Sequence, residues 1–179
     1  MNNTMIIYKN PENYNEYKEK VQFVKNIDYH SQYPNDVLDI IYPKEENKNN
    51  KVIIWVHGGS YIEGDKEKTE PYMVLLANEG FTAVNLNYAL APDSHYPVQL
   101  KQIEEAYKFI KEHADEYKLN LNTVYFGGDS AGAQIVSQFI NLQTNPEYLN
   151  EVNENTGGIQ LKKVIDKNNI EGVILLCGL

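Results

Sequence analysis

The sequence contains no arginine. All 16 of its basic residues are lysines, set against 25 aspartates and glutamates, for a formal net charge of -9. An acidic chain without the forked guanidinium lacks the usual means of gripping nucleic acid, phosphate clusters or an anionic membrane surface. Cysteine is nearly absent too. Cys177 stands alone, which excludes an intrachain disulfide framework and a cysteine-based metal cluster. Set in an apolar run, it is expected to be a buried, inert thiol. No apolar run is long enough to span a bilayer, and the start, MNNTMIIYKN, lacks the pattern of a secretory signal. The expectation is a cytoplasmic protein. With 179 residues, 42% of them hydrophobic, the chain has enough apolar material for one core.

What is present alternates between strand and helix patterns. Residues 1–20 are polar with scattered aromatics, an arm or a short helix lying on the body. VQFVKNIDYH (21–30) and VLDIIYP (37–43) alternate as strands do, and EENKNN (45–50) is a solvated turn. VIIWVHGG (52–59) is continuously apolar, as expected of a strand covered on both faces. A helix over 70–80 stops at Gly80, and FTAVNLNYAL (81–90) is the next strand. Pro97 opens a long helix along which Val98, Ile103, Ala106, Tyr107, Ile110 and Ala114 recur at helical spacing. TVYFGG (123–128) is a buried strand and AGAQIVSQFINLQ (131–143) a helix. Residues 143–169 form an Asn-rich excursion holding a short helix-like piece, QLKKVIDK (160–167), before a last buried strand, IEGVILLCGL. This alternation specifies an α/β fold: a mostly parallel sheet with helices on both faces and an antiparallel N-terminal edge.

Two stretches carry chemistry. In YFGGDSAGAQIV (125–136), Ser130 stands between Gly128 and Gly132 where a strand turns into a helix. Such a turn holds a serine hydroxyl clear of the sheet. The two glycines relieve crowding, the serine backbone is strained, and the helix start aims free N–H groups at a developing oxyanion. The alternative is a glycine-rich turn with Ser130 as an ordinary helix N-cap. HGGSYIEGD follows an independent strand, and its successive glycines let backbone N–H groups face a ligand. Together the two stretches provide a candidate nucleophile, Ser130, and a candidate oxyanion hole from the amides of Gly58, Gly59, Ser60 and Ala131.

HGGSY, NYALAPDSHYPVQL and GGDSAGA, in this order, resemble the hormone-sensitive-lipase-like carboxylesterases of the α/β-hydrolase fold. The likeness runs from about Val52 to Ile140. It implies Ser130 as nucleophile, carboxylic esters as small-molecule substrates and no cofactor. It gives His57 a supporting role in positioning the loop. The common form of that loop has a third glycine where this chain has Ser60. Asp129, next to Ser130, is expected to brace the loop rather than to face the nucleophile. Asp93 is expected to be structural, and Glu63 and Asp65 to be solvated.

The acid and base that activate such a serine follow it in this fold. Here no histidine occurs after His113 and one strand follows the elbow. The family's Asp and His therefore have no counterpart, and the expectation is one incomplete α/β-hydrolase domain over 1–179. Among the histidines, His57 is the best-placed substitute base, His95 a distant second, and His30 and His113 solvated bystanders. An uncovered last strand would invite self-association, and a second chain supplying the other half is the next account. Two functions stay open: a poorly active serine esterase, and a non-catalytic hydrolase-like module that binds a ligand or partner.

Overall fold

The computed structural model describes residues 10–44 and 51–178. The turn expected over 45–50 and the first nine residues of the expected arm lie outside them. Six strands form one sheet: β1 (Val21–Asp28), β2 (Val37–Pro43), β3 (Lys51–Val56), β4 (Phe81–Leu86), β5 (Val124–Asp129) and β6 (Ile170–Leu176), in the order β1-β2-β4-β3-β5-β6. β1, β2 and β4 pair antiparallel; β4, β3, β5 and β6 run parallel.

Period-two alternation along the central strands splits the core into two layers. From β3, Val52, Ile54 and Val56 enter one cluster and Ile53 and Trp55 the other. On the first face lie α3 (Val98–Glu112), α4 (Ala131–Thr144) and α5 (Pro146–Glu154). On the second lie α2 (Lys66–Asn78), through Met73, Val74 and Ala77, and α1 (Tyr14–Glu19), through Tyr14 and Tyr17. The mostly parallel sheet, its antiparallel N-terminal edge and the two-sided cover match the expected fold.

Five local expectations differ. Helix α2 begins at Lys66, not at 70, and carries Pro71 inside it. Proline in a helix interior is costly, but tertiary bonds hold this first turn. Asp65 caps it by accepting from the Glu67 amide at 2.8 Å, and the buried Lys66 Nζ lies 3.0 Å from Asp39 Oδ1. Asp65 is thus a half-buried cap rather than a solvated acid.

The Asn-rich excursion contains α5. Asn145 Oδ1 caps it from the Glu147 and Tyr148 amides at 3.1 and 3.2 Å, with Pro146 in the first turn. The expected helix over 160–167 does not form, apart from a single 3-10 turn at Lys167–Asn169. Its backbone amides have other partners. Leu161 N donates to Asn153 Oδ1 (2.8 Å), Lys162 N to Glu104 Oε2 (2.7 Å) and Val164 N to Gln143 Oε1 (2.7 Å). Side chains of three helices hold this segment outside any helix, and Leu161 and Ile165 are buried.

β6 is an exposed edge rather than a buried strand. Val173, Leu175 and Leu176 are 39%, 46% and 40% exposed. Among the described residues no helix is long and apolar enough to cross a membrane.

Candidate active site

β5 ends at Asp129 and α4 begins at Ala131, so Ser130 alone makes the turn. Its backbone has φ 49° and ψ -118°, a region that costs an L-residue about 1–3 kcal/mol. Its side chain makes no capping hydrogen bond to α4, and the residue is exposed. The ordinary N-cap reading fails on both counts, since such a cap sits in extended backbone and accepts from the helix amides. Ser130 N donates to Leu176 O at 2.7 Å. The elbow is therefore tied to the end of β6, and the amides that follow it at the helix start carry the positive end of the dipole.

Close approach explains the surrounding glycines. A Cβ on Gly132 would lie 2.1 Å from the Val56 carbonyl oxygen, because the first turn of α4 abuts the end of β3. A Cβ on Gly128 would lie 2.6 Å from the Gly132 carbonyl. A Cβ on Gly58 would meet Asp129 Oδ2 at 2.6 Å and Ser130 Cβ at 3.1 Å. The loop after β3 and the elbow after β5 are thus in direct contact. Parallel pairing of Val56 with Gly128 sets both strand ends at one level and makes this contact possible.

The loop is held in unusual backbone. Gly59, Ser60 and Tyr61 have φ of 132°, 53° and 66°. Ser60 is exposed and Gly58 and Gly59 half-buried. Behind them, His57 is buried and stacks on Tyr88, ring centroids 4.4 Å apart. His57 Nδ1 lies 2.7 Å from Gly58 O, so that nitrogen carries the hydrogen and donates. Burial pushes the imidazole pKa down, favouring the neutral ring. The Tyr88 hydroxyl donates to His57 O at 2.9 Å. His57 thus packs behind the loop, joined to Gly58 O and to the Tyr88 ring.

Asp129 also packs against the loop. Its Oδ1 accepts from Trp55 Nε1 at 3.1 Å, and Oδ2 lies against Gly58. The cleft at Ser130 has a volume of about 520 Å³ and is lined by Gly59, Ser60, Asp129, Trp55, Tyr72 and Cys177 among others. Cys177 was expected to be buried and is exposed in this cleft, with φ 53°, because β6 is the sheet edge.

The remaining histidines stand elsewhere. His95 lines a separate pocket of about 270 Å³ with Tyr61, Tyr96 and Leu100. His30 lies 3.1 Å from Asp28, and His113 bonds the Phe109 carbonyl at 2.9 Å and stacks on that ring. Among the described residues, none of these rings hydrogen-bonds to Ser130. Asp93 is exposed. No group of three or more His, Cys, Asp or Glu among the described residues is arranged to hold a metal ion. Trp55, Tyr88 and Gln134 support the site but went unnoticed in the sequence. Each lies on a strand, a strand exit or a helix, where an apolar or helical pattern explains it without reference to the site.

A parallel sheet with an antiparallel edge, a strained serine between strand and helix, and a second loop touching it define the α/β-hydrolase fold. The family model named BD-FAE matches residues 38–177, and the chain belongs to that family. The acetyl esterase of Salmonella schwarzengrund (strain CVM19633) is 33% identical over 101 residues, which cover 56% of this chain and 31% of that protein. Esterase B from Lactobacillus rhamnosis superposes with a TM-score of 0.73 at 23% identity, covering 93% of this chain and 53% of that one. An esterase from the bacterial hormone-sensitive lipase family gives a TM-score of 0.55 at 24% identity, covering 69% of this chain and 39% of that chain. The chain thus spans between about a third and a half of the length of these relatives.

Proposed function

We propose that this chain carries the nucleophile and oxyanion hole of a serine carboxylic-ester hydrolase acting through an acyl-enzyme on small-molecule esters, without a cofactor. The observation that supports the reading is the close approach of the loop after β3 to the elbow, where a Cβ on Gly58 would lie 3.1 Å from Ser130 Cβ beside an exposed hydroxyl. Ser130 Oγ attacks the ester carbonyl carbon and its proton passes to a base. The carbonyl oxygen, now negative, receives hydrogen bonds from among the Gly58, Gly59, Ser60 and Ala131 amides. Collapse expels the alcohol, which takes up a proton. Water then attacks the acyl-serine, releasing the acid and restoring Ser130.

Among the described residues no histidine hydrogen-bonds to Ser130. Without its base, such a centre keeps only about 10³–10⁴-fold acceleration over water, from binding and the oxyanion hole. That observation favours a second reading, a hydrolase-like binding module without turnover.

A fluorophosphonate probe and p-nitrophenyl acetate separate the two. The hydrolase reading expects an adduct on Ser130, located by peptide mass spectrometry, and slow nitrophenol release that Ser130→Ala abolishes. Absence of adduct and turnover, with ligand binding unchanged in Ser130→Ala, would establish the binding module instead.

A further inference from the structure

The oxyanion loop has a side-chain tie to the nucleophile helix. The Tyr61 hydroxyl donates a hydrogen bond to Gln134 Oε1. Gln134 also closes the first turn of α4, its amide donating to Ser130 O at 3.2 Å. One residue therefore touches both parts of the site, through its backbone on the elbow side and its side chain on the loop side.

The loop needs such a tie. Gly59, Ser60 and Tyr61 are consecutive positive-φ residues, and two of them carry side chains. Side-chain-bearing residues in this region persist only where the surroundings over-determine them. Backbone bonds fix the loop to itself, from Ile62 N and Glu63 N to Gly59 O at 3.1 and 3.0 Å. A further bond fixes it to the segment after β4, from Ala91 N to Tyr61 O at 2.8 Å. None of these sets its distance from Ser130. Tyr61 and Gln134 are both half-buried, so water competes only partly for their bond.

We propose that Tyr61 and Gln134 are positioning residues that hold the amides of the β3 loop at catalytic distance from Ser130, coupling the two halves of the oxyanion hole. The inference rests on the hydrolase reading above. Neither side chain touches the reacting atoms; each acts through the loop. A misplacement of about 1 Å in such a site costs on the order of a hundredfold in rate.

The test is the phosphonylation of Ser130, in which the Oγ–P bond forms, the P–F bond breaks and the serine proton leaves to solvent with fluoride. The probe's P=O oxygen occupies the oxyanion hole. The maximal inactivation rate and the half-saturating probe concentration are measured for the wild type, Tyr61→Phe, Gln134→Met and the double variant. The maximal rate should fall about tenfold or more in each single variant, with half-saturation within roughly twofold of wild type. The double variant should fall no further than either single one, since the pair acts as a unit. A merely structural role would lower the melting temperature and leave the maximal rate alone. Unchanged maximal rates, a loss confined to half-saturation, or additive losses overturn the proposal while leaving the hydrolase reading intact. A wild-type protein with no adduct on Ser130 removes both.

Discussion

Trp55 and Asp129, 74 residues apart in the chain, are joined by a hydrogen bond of 3.1 Å from the indole N–H to Oδ1. The register of β3 against β5 sets Trp55 beside Gly127, where a Cβ would lie 2.5 Å from the indole ring. The missing side chain at Gly127 leaves room for the indole, and the indole in turn orients the carboxylate beside Ser130. Trp55 is 1% exposed, so its N–H has no ready access to water. Asp129→Ala should cost about 1–3 kcal/mol in urea unfolding, the range for a buried donor left unpaired. Asp129→Asn keeps an accepting oxygen and should cost less. Equal losses for the two variants would show that the bond is not what stabilises this corner.

Ser130 combines exposure with strained backbone. Glycine at this position removes the Cβ that makes φ 49° costly, and its own entropy loss on folding offsets part of that gain. Ser130→Gly is expected to raise stability by about 1 kcal/mol while abolishing reaction with the fluorophosphonate probe. A destabilised Ser130→Gly would mean that the hydroxyl, not the backbone, governs the fold of the turn.

Gly132 faces backbone atoms, 2.1 Å from the Val56 carbonyl oxygen and 2.6 Å from that of His57 for an added Cβ. Neither can swing aside as a side chain can. Gly132→Ala should therefore exceed ordinary overpacking and lose about 3 kcal/mol or more. In a domain of this size that lowers the melting temperature by roughly 6–12 °C. A shift within one or two degrees would show that α4 slides freely along β3.

Glu70 anchors α1 and β1 to α2, accepting from Tyr14 and Lys18 and pairing with Lys25. Burial alone would raise its pKa, but the hydrogen bonds from Lys18, Lys25 and Tyr14 outweigh it and hold the carboxyl at about 2. A carboxyl depressed in the folded state stabilises fully above its unfolded pKa, near 4.5, and loses that contribution as pH falls toward 2. Glu70→Gln should lower stability at pH 7 by about 1 kcal/mol, since the lysines are partly solvated. Thermal melts of wild type and variant should converge as the pH is lowered from 5 to 2. A constant gap across that window would assign the effect to packing instead.

Elements whose signals are local were legible in the sequence. β2 spans the expected 37–43, and α4 starts at the expected Ala131. The elbow and the glycine loop were recognisable because their residue types answer to backbone geometry within a few positions. The helix after Asn145 was missed although its signals were present: a capping Asn, Pro146 next, and Glu147 in the first turn. Polar composition obscured them. The segment 160–167 failed in the opposite way. Its helical spacing was overruled by Asn153, Gln143 and Glu104, which take its amides from three separate helices. Cys177 was misplaced because an apolar strand reads the same at the centre of a sheet and at its edge.

By itself, the order of residues determined that strands and helices alternate, that Ser130 sits at a tight strand-to-helix bend, and that a glycine-rich loop follows an earlier strand. Only the tertiary structure decided that β4 lies between β2 and β3, that the loop touches the elbow, and that Tyr61 reaches Gln134, 73 positions later. The reason is one of range. Backbone preferences and glycine geometry act over a few residues and are written locally. Strand register and the meeting of distant side chains come from packing the whole sheet, which no short pattern encodes.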